Sequence, residues 1–160
     1  MSDLSRFSAV VAAPFGALGI VCDAHAVQEL IYLPPSFQTR PPVNALAQRA
    51  AQQVTAYLQD AQAPFDLPLA PRGTLFQQKV WQAICAIPAG HVQTYGQIAR
   101  ALQSAPRAVG QACGANWFPL VVPCHRVTAA QGLGGFAHAT DDFHLGVKRW
   151  LLQHEGALLL

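Results

Sequence analysis

Cys124, His125 and Arg126 stand on successive residues in the stretch LVVPCHRV, where an apolar run ends at a proline. A thiol beside an imidazole and a guanidinium is a nucleophile with two adjacent potential cations, and positive charge favours thiolate over thiol. Pro123 fixes its own backbone angle and ends the run, which holds the thiol at a defined place. Near the end of the chain Glu155 is available to orient an imidazole, giving a nucleophile, base and orienter set. An ordinary thiol, with a pKa of about 8.5, is only a few per cent ionised at neutral pH, so such activation matters. The set does not choose a reaction: hydrolysis, acyl transfer and alkyl transfer all use it. Cys22, Cys85 and Cys113 have no comparable neighbourhood and read as structural.

The rest of the chain must position these groups. Its 160 residues are 52% hydrophobic and only 11% charged, enough for a sizeable core in one unit or two small lobes. A net charge of +2 is compatible with nucleic acid but does not argue for it alone. The four cysteines have neither CxxC spacing nor disulfide-scaffold density, so free thiols in a reducing cytoplasm are the simpler reading. Arg6, the apolar stretch to Cys22 and Ala24-His25-Ala26 imitate a signal peptide, but Pro14, Gly16 and Gly19 interrupt it. The same residues read as two strands, FSAVVAA and ALGIVC, joined by a Pro14-Phe15-Gly16 turn.

VQELIYL follows as a third strand, and Leu46, Ala50, Val54 and Leu58 form the stripe of a helix that covers one face of the small sheet. The proline-rich stretch QDAQAPFDLPLAPRG reads as a linker, dividing the chain into 1–72 and 73–160. Beyond it, Thr74 with Gln77 and Thr94 with Gln97 fit capping boxes opening two helices, the first with Phe76, Val80, Trp81, Ile84 and Ile87 as its stripe. A short turn leads to PRAVGQACGAN, with Pro106 in the first helical turn and Asn116 as the stop. From spacing alone an ordinary helical hairpin is simpler than a helix-turn-helix. The second helix, however, is built of Ala108, Gly110, Ala112, Gly114 and Ala115 behind Arg107, slender enough to enter a DNA groove. Leu120 to Val122 reads as strand-like, and LGVKRWLLQHEG as a closing helix with Val147, Trp150 and Leu151 inward and Gly156 at its stop. No metal is expected. Cys22 and His25 are one pair, short of a zinc site, and His138, Asp141, Asp142 and His144 read as a solvated loop.

PCHRV resembles the active-site motif of the O6-alkylguanine-DNA alkyltransferases, the methylated-DNA–protein-cysteine methyltransferases. FQQKVWQAICAIPAGHVQTYGQIARAL, RAVGQACGAN and KRWLLQHEG resemble the flanking family segments in the same order, so the likeness covers most of Gly73 to Gly156. It implies an α+β fold: a small N-terminal antiparallel sheet with a helix, ribonuclease-H-like, then a mainly helical C-terminal domain holding a DNA-binding helix-turn-helix. It also implies a monomeric, cytoplasmic DNA-repair protein without cofactor that binds double-stranded DNA from the minor groove. Such a protein flips an alkylated guanine out of the stack, where a thiolate can reach the alkyl carbon on O6. Carried over by position, Cys124 accepts the alkyl group once, irreversibly; O4-alkylthymine is a further substrate class. His125 acts as base through a water, held by Glu155; Tyr95 assists rotation and protonates the departing base. Asn116 ties helix to active-site turn. Arg107 fills the hole left by the flipped base, with Thr94, Ala108, Gly110 and Gln111 also at the DNA. Val127, Phe136, Ala137 and Cys113 line the pocket.

Trp117 departs from the family's usual proline, and Phe136 to Lys148 is several residues longer and lacks the customary glycine pair. A related group of alkyltransferase-like proteins binds alkylated DNA without repairing it and lacks the acceptor cysteine; Cys124 places that reading second. A cysteine hydrolase would need an oxyanion hole, and a plain helix-turn-helix regulator more base-reading side chains.

Overall fold

Phe7 to Cys22 folds as the predicted hairpin, β1 (Ala9–Ala13) and β2 (Gly16–Cys22), running antiparallel from Ala9 opposite Ile20 to Ala13 opposite Gly16. β3 (Val27–Leu33) pairs antiparallel with the other side of β2, giving the sheet order β1-β2-β3. The computed structural model describes residues 4–134 and 142–157. It divides into two units, Met1–Pro71 and Arg72–Leu160, each with its own packing.

In the first unit α1 (Ala45–Gln59) packs against β1 and β2, its N-terminus capped by the Asn44 side chain accepting from the Ala47 N–H at 2.8 Å. Leu46, Ala47, Ala50, Val54 and Tyr57 are its buried residues, so Tyr57 closes the stripe and the predicted Leu58 does not. The reason is geometric: steps of four residues drift by roughly 40° each, and a three-residue step brings the row back. A second cluster gathers Phe7, Val10, Ala17 and Leu33, with Val21, Ile31 and Phe37 against it. Gly19 is required there. A Cβ on it would sit 2.5 Å from the Phe7 ring. Gly19→Ala is therefore expected to destabilise the protein by about 1–3 kcal/mol through overpacking, read from denaturant unfolding.

The predicted linker is not simply a linker. The Val27 N–H donates to the Pro68 carbonyl and the Ala70 N–H to the Val27 carbonyl, both at 2.8 Å, while Leu67 and Ala70 are buried. Proline cannot donate, but its carbonyl accepts, and that suffices on a sheet edge. Val10 and Arg40 exchange hydrogen bonds on the opposite edge, at 3.0 and 3.1 Å. Both outer strands are thereby partly covered, which blunts pairing with other chains.

The second unit holds α2 (Leu75–Cys85), β4 (Gln93–Thr94), α3 (Tyr95–Ala101), α4 (Pro106–Gly114), β5 (Val127–Thr128) and α5 (Asp142–His154). Both capping boxes form: each threonine hydroxyl accepts from the glutamine N–H at 3.1 Å, and each glutamine side chain accepts from the threonine N–H in return. Val80, Trp81, Ile84 and Ile87 are buried as predicted, with Phe76 only partly so. The Trp81 indole N–H donates to the Ala112 carbonyl at 2.8 Å, fastening α2 to α4. In α5, Val147 and Leu151 point inward. Trp150 is only partly buried and stacks on His154; Leu152 and, unexpectedly, Lys148 take the interior places. The α+β class is as expected.

Candidate active site

Asn116 organises the turn that carries the thiol. It lies just beyond the end of α4, with Ala115 as the helix cap. Its carboxamide oxygen accepts from the Phe118 N–H at 2.8 Å, and its Nδ2 donates both to the Val122 carbonyl at 2.9 Å and to Cys124 Sγ at 3.2 Å. Leu120 to Val122, predicted as strand, is instead a tight turn: Pro119 bridges Val122, and buried Leu120 has φ of 78°. A left-handed leucine costs about 1–3 kcal/mol and persists only where its surroundings over-determine it; here the Asn116 bonds do so. Cys124–Arg126 then form one 3₁₀ turn, and β5 pairs in parallel with β4. That two-residue pairing sets Thr94 opposite Thr128 and so brings the N-terminus of α3, with Tyr95, to the thiol turn.

Glu155 is the anchor. His125 Nε2 lies 2.8 Å from its Oε2, and Arg126 donates from Nε to Oε1 and from Nη2 to Oε2, each at 2.9 Å. The carboxylate only accepts, so Nε2 carries the imidazole hydrogen and Nδ1 presents a lone pair. Nδ1 is buried without a hydrogen-bond partner among the described residues. Burial pushes His125 below its ordinary value, and the hydrogen bond to Glu155 opposes this. His125 is therefore neutral at pH 7, so of the two potential cations beside the thiol it supplies no charge. Arg126 is committed as well: its third contact, Nη1 to the Ile87 carbonyl at 2.7 Å, completes a bracket around Glu155.

Cys124 is buried close to Cys113, whose own neighbourhood reads as structural but which the family resemblance places on the pocket wall. The neighbouring Cys113, followed by burial, holds the Cys124 thiol well above its ordinary value despite the Asn116 contact, while the neighbouring Cys124 lowers Cys113. Burial also raises the Tyr95 phenol strongly, the two thiols adding to it, so Tyr95 keeps its proton. Sequence reasoning missed Lys148, a buried cation near both thiols. Lys148 is 0% exposed, donates to the Val127 carbonyl at 2.7 Å, and lies 5.8 Å from the Tyr95 ring centroid. Burial lowers it to about 8, with Cys113 and Cys124 pulling the other way. The signal was available: Lys148 shares its face with Leu151 and Leu152, three and four residues on. Gly134 was missed too; a Cβ there would meet the Tyr95 ring at 3.0 Å, so it forms a close wall beside it.

Cys124, His125, Glu155, Asn116, Cys113, Val127 and Tyr95 thus converge. Arg107, Ala108, Gly110 and Gln111 do not join them; they belong to α4, where Arg107 and Gln111 are exposed and a Cβ on Gly110 would meet nothing within 4 Å. Thr94 is occupied as the cap of α3. Trp117 is 40% exposed, its ring 4.4 Å from the Arg72 guanidinium. Phe136 and Ala137, with the rest of the lengthened segment up to residue 141, lie outside the described residues. Among the described residues no group of three His, Cys, Asp or Glu side chains is placed to hold a metal, and no helix is long and apolar enough to cross a membrane.

Fold and site together define a protein with a buried cysteine and a carboxylate-held histidine beside a slender, open-faced helix. Residues 75–157 match the family model described as 6-O-methylguanine DNA methyltransferase, DNA binding domain. A methylated-DNA–protein-cysteine methyltransferase from Methanosarcina mazei is 35% identical over 91% of this chain and 94% of its own. Another, from Salmonella typhimurium, is 52% identical over 59% of this chain but 54% of its own length. The crystal structure of the Mycobacterium tuberculosis O6-methylguanine methyltransferase superposes with a TM-score of 0.78 at 34% identity, covering 92% of this chain and 91% of that one. The M. tuberculosis OGT in complex with DNA gives 0.74 over the same shares. The chain belongs to the 6-O-methylguanine DNA methyltransferase family.

Proposed function

We propose that this protein repairs double-stranded DNA by moving the alkyl group of O6-alkylguanine onto its own Cys124, once per molecule. The observation that carries the reading is the buried Glu155–His125 pair, which leaves a neutral imidazole with a free lone pair on the residue next to a thiol. His125 takes the Cys124 proton through a bridging water. The sulfur then attacks the alkyl carbon, the carbon–O6 bond breaks, and Tyr95 supplies a proton to the departing guanine. The target is a saturated carbon and the nucleophile is soft, so no oxyanion hole is required. Asn116 steadies the sulfur, and Val127 and Cys113 line the pocket.

The α3–α4 pair acts as a helix-turn-helix. Its small residues let α4 approach the minor groove, and Arg107 fills the gap left by the flipped base; unstacking costs a few kcal/mol. Free thiols at all four cysteines fit action in the cytoplasm.

The test is a titration of O6-methylguanine duplex with protein, scoring restored guanine. Restoration that stops at one guanine per protein, and vanishes in Cys124→Ser, supports the reading; lesion binding with no restoration would instead indicate a recognition protein. Arg107→Ala is expected to slow transfer from duplex by tenfold or more while sparing transfer from the free base, since each ~1.4 kcal/mol left uncovered is a factor of ten. Transfer holds as pH falls through 6.5, the ordinary imidazole value, and drops only lower, because burial has depressed His125.

A further inference from the structure

Glu155 Oε2 accepts twice, from His125 Nε2 at 2.8 Å and from Arg126 Nη2 at 2.9 Å. The guanidinium also donates from Nε to Oε1 at 2.9 Å, while its Nη1 reaches the Ile87 carbonyl at 2.7 Å. Ile87 lies just beyond α2 and Glu155 just beyond α5, so the planar fork is held from two elements at once. A bare buried carboxylate behind an imidazole does two things: it fixes the tautomer, and it favours the protonated ring. The second effect would defeat a base, because a ring that already carries both protons cannot take one from a thiol. A guanidinium forked across both oxygens preserves the first effect and offsets the second. We propose that Arg126 is a positioning residue of the transfer reaction: by sharing Glu155 with His125, it keeps the imidazole neutral and able to take the Cys124 proton in mildly acid conditions. The consequence for transfer rests on the repair reading; the effect on His125 does not.

The groups that face the ring single out Arg126 among its neighbours. Burial works most strongly against the protonated imidazole; Glu155 favours it, and Arg126 and Lys148 oppose it. Lys148, lowered by burial to about 8, stays charged through the range where an imidazole titrates, so it acts alike whatever stands at 126. Cys124, in the ring's own turn, and Cys85, at the end of α2, are both raised and keep their protons, adding no charge in that range. The hydrogen bonds of Arg126 go to Glu155 and Ile87, so it acts on the reaction through His125 and not on the reacting atoms. Lysine is no equivalent, because one compact ammonium cannot cover both carboxylate oxygens and the Ile87 carbonyl as the fork does.

An NMR titration of the His125 ring in wild type, Arg126→Lys and Arg126→Gln tests this, run beside single-turnover transfer from O6-methylguanine duplex between pH 5 and 8. The ring midpoint should rise in that order, by about half a pH unit for lysine and about one or more for glutamine, which can donate but carries no charge. Measured against wild type at the same pH, Arg126→Gln should lose about threefold more transfer at pH 6 than at pH 8, the result of a midpoint raised by one unit. A purely structural role would slow transfer by the same factor at every pH. That outcome would overturn the proposal, and so would a His125 midpoint that is unchanged or lower in the variants. If Arg126→Gln does not fold, the comparison of wild type with Arg126→Lys decides by itself. If wild type transfers no alkyl group, the repair reading fails while the ring titration still judges Arg126.

Discussion

Glu155→Ala unfolds about 3–5 kcal/mol more easily than wild type and loses alkyl transfer. The carboxylate is 0% exposed and takes three charged or polar bonds, one from His125 and two from Arg126. Deleting it strands a guanidinium in a low-dielectric setting and leaves the imidazole without the acceptor that fixes its tautomer; removing one partner of a buried pair costs of this order because the other remains. The same substitution frees the His125 ring to rotate or exchange tautomers, so Nδ1 is no longer held as the lone-pair nitrogen the proposed transfer needs. Glu155→Gln separates the two effects: an amide oxygen still accepts from one partner, so stability falls less, while the charge that supports a protonated His125 is gone. Equilibrium denaturation with single-turnover transfer on the same samples checks both. A Glu155→Ala protein with wild-type stability would show that Arg126 and His125 find other partners.

Lys148→Met is expected to stabilise the protein and slow transfer together. The lysine is fully buried and donates to the Val127 carbonyl. Burial lowers it from 10.5 to about 8. Each pKa unit is about 1.4 kcal/mol, so carrying the ammonium at pH 7 costs roughly 3 kcal/mol. Part of this is offset by the bond to Val127, whose carbonyl the methionine leaves unsatisfied at a cost of about 1–3 kcal/mol. The net gain at pH 7 is therefore small, on the order of 1 kcal/mol. The sign is checked by pH. Between about 8 and 10.5 the unfolded chain binds the lysine proton and the folded chain does not, so the wild-type deficit shrinks as pH rises through that window and the advantage of methionine disappears. For transfer, losing the cation coupled to both thiols raises the cost of a thiolate; one pKa unit corresponds to about tenfold in rate at neutral pH. Thermal unfolding at pH 7 and pH 10, with transfer rates at pH 7, measures both halves.

Elements written in local chemistry were legible in the sequence. The capping boxes at Thr74 and Thr94 form as read because their signals lie within four residues of each other. The hairpin was equally local. The turn at Leu120 was not, because an apolar run looks like a strand until Asn116, four residues earlier, bends it through side-chain bonds to Phe118 and Val122. β4 and β5, two residues each, carry no period to detect. At the site, proximity in sequence misled: Arg126 adjoins the thiol but turns to Glu155, while Lys148, far along the chain, supplies the coupled cation. The nearness of Cys113 to Cys124 likewise appears only when α4 and the thiol turn are brought together.

The most direct test of the central claim is peptide mass mapping after incubating the protein with one equivalent of duplex carrying a single O6-methylguanine. One methyl group on the peptide containing Cys124, none on Cys22, Cys85 or Cys113, and none anywhere in Cys124→Ala is the predicted result. A methyl group found on Cys113 instead, or unmodified protein with the lesion intact, would contradict it.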